Sequence, residues 1–98
     1  MDIKTIITGI KEQNLDKFQL ENYASMLDVL QAEMELELAE VEKSHALFLA
    51  KSEEKSRAGA ERLWDATELG LKEIELKRQL RSVSKLASSV KTRIYQKL

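Results

Sequence analysis

The chain has 98 residues, with 16 Lys or Arg against 17 Asp or Glu, one His, three Gly, no Cys and no Pro. This length holds one domain at most, with a modest core. The absence of Cys excludes a disulfide framework and a zinc cluster of thiolates, leaving helix packing or oligomerisation as the stabilisers open to so small a protein. Charged residues make up 34% of the chain, and Leu, Glu, Lys and Ala dominate, the composition of long helices rather than sheet. The opening MDIKTIITGIKEQN shows no basic segment followed by a continuous apolar stretch, so no secretory leader is expected. The longest apolar run, Ala46 to Ala50, is too short to span a bilayer, and the expected location is the cytoplasm.

In chain order, the first predicted element is a short helix over about 3–13. Asp2 is placed to cap it, Ile3, Ile6, Ile7 and Ile10 fall on one face, and Asn14 is placed to end it in a left-handed conformation. The second begins with Asp16 as N-cap and Gln19 three residues on, the capping-box spacing, while Leu15 and Leu20 stand at the staple positions. From there Leu20, Ala24, Leu27, Gln31, Met34, Leu38, Val41, His45 and Phe48 alternate spacings of four and three. That seam predicts a long helix over about 17–52. A polar stretch, SEEKSRAG, follows and is expected to reverse the chain over about 53–59. The last element, over about 60–97, carries its own seam in Leu76, Leu80, Val83, Ala87, Val90 and Ile94, extended upstream by Leu69 and Glu73.

The expected fold is therefore all-α: a short N-terminal helix followed by a long antiparallel helical hairpin, coiled-coil-like, in a single domain over 1–98. One continuous helix from Lys17 to Leu98 is the alternative, since SEEKSRAG has no Pro and most of its residues tolerate helix. Val29, Leu36, Leu47, Leu49, Leu71 and Ile74 lie off the seams, and the run Ala46 to Ala50 is apolar all round. These argue for a second chain and a homo-oligomeric helical bundle, most simply four core helices from two hairpins. Trp64 is expected to be a core or turn-packing residue.

The charge is divided unevenly. Residues 1–54 hold five basic and twelve acidic side chains, and residues 55–98 hold eleven basic and five acidic. Acidic and basic flanks meeting across the seam would set antiparallel orientation while adding little stability. The C-terminal excess goes further. Arg78, Arg81 and Lys85 form a polar face beside the seam, Lys91, Arg93 and Lys97 follow, and Ser82, Ser84, Ser88, Ser89, Thr92 and Tyr95 are interleaved. Cations with hydroxyls suit phosphate oxygens, and an exposed aromatic can stack on an unpaired base. Nucleic acid is thus one candidate partner, through Arg78, Arg81, Lys85, Lys91, Arg93, Tyr95 and Lys97. A protein partner is the other, in a structural or adaptor coiled coil whose charges are satisfied within the assembly. Basic amphipathic helices also sit on membrane surfaces.

The short first helix, the turn Asn14-Leu15-Asp16, the long acidic helix and the tail SVSKLASSVKTRIYQK together resemble the small recombination-mediator proteins of T4-like phages. The resemblance covers the layout and about 20 C-terminal residues. It implies self-association, binding of single-stranded DNA and a recombinase partner, with Lys85, Lys91 and Arg93 as the first residues to test.

No phosphate-binding Gly-rich loop and no Gly-x-Ser-x-Gly occurs, and neither an enzymatic activity nor a cofactor is expected. One constellation could hold metal. Glu42 and His45 form Glu-x-x-His on a helix, and Glu73 is the carboxylate of the facing seam; two copies would supply the ligands of a di-metal carboxylate bundle. The plainer expectation is a His45–Glu73 hydrogen bond that fixes the register of an apolar seam.

Overall fold

The structure, a computed structural model, describes residues 3–11 and 15–97. Four helices, α1 (Ile3–Ile10), α2 (Lys17–Lys51), α3 (Arg57–Asp65) and α4 (Glu68–Gln96), make it all-α, with no strand among the described residues. They gather into two compact units: residues up to Glu33 with those from Arg81 onward, and Met34–Leu80. No helix among the described residues is long and apolar enough to cross a membrane.

In the first unit, α1 buries Ile6 and Ile10 and half-buries Ile3 and Ile7, the face its spacing defines. The proposed cap Asp2, the terminator Asn14 and the extension to Gln13 lie outside the described residues. α2 starts on the expected capping box. Gln19 N–H donates to Asp16 Oδ1 at 2.7 Å, and Asp16 N–H donates to Gln19 Oε1 at 2.9 Å, so two otherwise orphaned donors are satisfied reciprocally. The staple residues Leu15 and Leu20 are both buried. Ala24, Leu27 and Leu30 from α2 and Val83, Ala87 and Val90 from α4 complete the apolar interior. Burial of Leu27, Val83 or Val90 each contributes about 1.5–3 kcal/mol.

Arg93 ties α4 to α1, its guanidinium Nη1 donating to the carbonyl of Ile10 at 2.7 Å. Ile10 is the last residue of α1, where carbonyls lack helical partners and a cation complements the dipole. Replacing Arg93 with Ala is therefore expected to cost about 1.5 kcal/mol. The loss should show as faster amide exchange over residues 3–11, with the α2 amides little changed.

In the second unit, Leu38 and Val41 of α2, Trp64 of α3 and Leu76 of α4 form the core, with Phe48 and Leu80 packed against it. α2 stops at Lys51, residues 52–56 are non-helical, and α3 resumes at Arg57. The chain is thus not one helix from Lys17 onward. The break falls slightly before the expected 53–59 because Ser56 is an extended N-cap that accepts from Gly59 N–H at 3.0 Å. Gly59 lies in the first turn of α3 instead of making the turn.

The predicted single helix over 60–97 is two helices, interrupted at Ala66 and Thr67. Thr67 supplies the reason. Its hydroxyl donates to the Trp64 carbonyl at 2.6 Å and accepts from Gly70 N–H at 3.0 Å. One side chain therefore ends α3 and caps α4, the competition by which Ser and Thr interrupt helices. Gly70 permits the tight crossing, since a Cβ there would meet the Trp64 carbonyl and lie 2.9 Å from Asp65 Cα. No residue of the run Ala46 to Ala50 is buried within the chain, and Leu47 remains 52% exposed.

Candidate nucleic-acid interface

Helical geometry sorts the cations of α4. At about 100° per residue, Val83, Ala87, Val90 and Ile94 form the inward seam and are all buried or half-buried. Arg81, Lys85, Ser88, Thr92 and Tyr95 repeat the four-three spacing on the opposite side, and every one is exposed. The strip thus lies across the helix from the seam, not beside it as the sequence reading had placed Arg81 and Lys85. It runs about 21 Å, from two cations through hydroxyl-bearing residues to an aromatic ring. Neither Arg81 nor Lys85 forms an ion pair with another described residue. Tyr95 is 77% exposed. The Thr92 hydroxyl is turned back on its own helix, donating to the Ser88 carbonyl at 3.0 Å.

The remaining candidates are placed differently. Lys91 and Arg93 flank the inward seam, where neighbouring elements reach them. Lys91 Nζ lies 3.3 Å from Asp28 Oδ1, and Arg93 is the cap of α1. Both therefore have partners within the chain, Lys91 in an exposed ion pair and Arg93 half-buried against α1, whereas Arg81 and Lys85 stand on the exposed side of the helix. Arg78 belongs to the second unit and is exposed, but it already has a partner. Lys97 is exposed at the end of the helix, on the side away from the strip. In the second unit, Lys72 Nζ and Glu37 Oε1 approach to 2.6 Å. With Lys91–Asp28, this is the expected meeting of acidic and basic flanks, though such exposed pairs add little stability.

Of the metal candidates, His45 and Glu73 meet. His45 Nδ1 is 2.9 Å from Glu73 Oε2, the hydrogen bond expected from the seam. Its Nε2 is 2.7 Å from Glu61 Oε2, a partner the sequence reading missed. Glu42 is exposed. Carboxylates thus stand at opposite edges of one imidazole, one at each nitrogen. No group of three or more such side chains among the described residues suits a metal ion. The ring is stacked on Trp64, with centroids 4.6 Å apart and planes 6° from parallel. Burial opposes charge on His45, but the hydrogen bonds and charges of Glu61 and Glu73 outweigh it, holding its pKa above the ordinary 6.5.

The fold and the strip define an all-helical protein with an exposed cationic-aromatic face. No protein-family model, no curated protein and no solved structure matches the chain.

Proposed function

We propose that the chain is a non-enzymatic, self-associating accessory protein that binds nucleic-acid phosphates through the exposed strip of α4. The observation that carries this reading is the succession Arg81, Lys85, Ser88, Thr92 and Tyr95 on the exposed side of one helix. Its cations suit phosphate oxygens without reading sequence, and its terminal ring suits stacking on an unpaired base. Single-stranded nucleic acid is the preferred ligand, because only unpaired bases offer their faces to Tyr95. The resemblance to phage recombination mediators supports the same choice, and with it a recombinase partner.

Two cations per chain are few for a polyanion, so the reading includes repetition of the strip by self-association, which sums its field. In this proposal α2 and α4 form an antiparallel hairpin, and copies of it pack into a helical bundle. The exposed Phe18 and Val29 of the first unit, and Leu36, Leu47, Leu63 and Leu71 of the second, support burial against another chain. The same residues favour a second reading, an adaptor that binds another protein, and the pairing of Lys91 with Asp28 and of Arg93 with Ile10 agrees with it.

A fluorescent single-stranded oligonucleotide titrated at increasing NaCl separates the two. Binding is expected at low salt and to weaken with a log–log slope of about −0.7 per phosphate neutralised. Arg81→Glu with Lys85→Glu is expected to abolish it with the oligomer mass unchanged. Absence of binding at low salt, or an unaffected double variant, would leave the adaptor reading in its place.

A further inference from the structure

We propose that His45, held between Glu61 and Glu73, is a proton-controlled latch that keeps α3 docked on α2 and α4. All the groups concerned lie in the second unit, so the inference stands independently of the nucleic-acid reading. Each ring nitrogen faces a carboxylate oxygen, Nδ1 towards α4 and Nε2 towards α3. A neutral imidazole carries one N–H and one lone pair, so it can donate to only one of them. The other nitrogen would then present its lone pair to a carboxylate oxygen less than 3 Å away. With both carboxylates ionised, only imidazolium, donating from both sides, satisfies this geometry.

The surrounding charges fix which contact gives way. Glu73 is only 5% exposed, and its second oxygen keeps Lys77 Nζ at 3.6 Å. It is therefore held in place by α4 and retains a cation when His45 loses its proton. Glu61 is 35% exposed, and its other oxygen faces only Arg57 Nε at 3.8 Å, on the solvent-facing start of its own helix. From α2, Glu42 lies one turn before His45 but points to solvent. Deprotonation thus leaves the neutral ring and Glu61 mismatched, and as Glu61 turns to solvent α3 loses its polar tie to α2.

α3 is short, nine residues between two breaks. It attaches through the buried Ala60 and Trp64 and through Glu61. Trp64 is itself stacked on the His45 ring, so the latch and the core anchor share one contact. Loosening α3 would uncover Leu38, Val41 and Leu76, which Trp64 covers.

The sign follows from linkage. His45 is more basic folded than unfolded, so its contribution is complete below about pH 6.5 and is lost as pH rises through the folded value. Protection of the α3 amides should fall by about tenfold for each unit by which that value exceeds 6.5. Trp64 is the only Trp in the chain, so its emission reports the same event.

The test is hydrogen exchange over residues 57–65, corrected for intrinsic rates, together with Trp64 emission between pH 6 and 9. One single-proton transition is expected, with falling α3 protection and red-shifted emission on the alkaline side. Glu61→Gln should remove the transition and keep α3 docked throughout, because an amide can donate to the lone pair of a neutral imidazole. His45→Gln should remove it as well, and Glu61→Gln decides alone if that variant does not fold. Constant protection across this range in the native chain would overturn the latch. So would a transition that survives in Glu61→Gln, or an emission change with α3 protection unaltered.

Discussion

Trp64→Ala lowers the stability of the chain by about 3–5 kcal/mol, the cost of deleting a large buried aromatic side chain. Trp64 is only 2% exposed and joins the second-unit core with Leu38, Val41 and Leu76, while Phe48 meets it at a ring-centroid distance of 5.5 Å. Small domains hold only about 5–15 kcal/mol in total, so the loss consumes much of the reserve. Removing the indole also strips His45 of the surface against which it is stacked. The check is a urea unfolding series followed by circular dichroism, since the substitution removes the only fluorescent Trp. Trp64→Phe should cost clearly less. It keeps a ring in the core and deletes an indole N–H that has no acceptor among the described residues. Equal costs for the two substitutions would show that the aromatic packing is not what holds α3.

Gly70→Ala is expected to destabilise by about 1–3 kcal/mol or more, the cost of forcing extra volume into a packed site. The added Cβ would lie 2.7 Å from the Trp64 carbonyl carbon and 2.9 Å from Asp65 Cα. Both are backbone atoms, so no rotamer change relieves the clash. Gly59→Ala should act in the opposite direction. Its Cβ would meet only the Glu54 side chain, at Cγ 2.6 Å and Cδ 2.9 Å, and that exposed chain can swing away. There the helix preference for Ala over Gly stabilises by up to about 1 kcal/mol. Unfolding midpoints of the two variants should therefore move to opposite sides of the native value. A tolerated Gly70→Ala would mean that α3 and α4 do not cross as closely as described.

The features legible in the sequence were those set by short-range spacing. Asp16 and Gln19 define one end of α2 through two reciprocal hydrogen bonds, and nothing distant competes with them. The α2 seam was legible for the same reason: every residue assigned to it from Leu20 to Phe48 is buried or half-buried. His45 and Glu73 could be paired because His45 is the one titratable residue of the α2 seam and Glu73 the one carboxylate of the facing seam. The break between α3 and α4 was hidden, because Asp65-Ala66-Thr67-Glu68 contains neither Gly nor Pro. Its signal was Thr67 with Gly70 three residues on, a cap followed by a position where a side chain would strike the preceding turn. Glu61 was missed because it meets His45 only once that break gives α3 its own direction.

The cations of α4 differ in a way that composition does not show. Composition counts Lys91, Arg93, Arg81 and Lys85 alike, but angular position around α4 does not. The first two flank the inward seam and are engaged with Asp28 and the end of α1, while the other two stand across the helix from it.

The proposal that the exposed side of α4 is the working surface is tested most directly by lysine modification at low salt, with and without a single-stranded oligonucleotide. A small amine-reactive reagent should label Lys85 readily in the free protein and several-fold more slowly in the complex. Lys43 and Lys51, exposed on α2, should label at the same rate in both. Protection confined to Lys85 and its surroundings is the predicted result. Unchanged Lys85 labelling under conditions where the oligonucleotide is bound would contradict it.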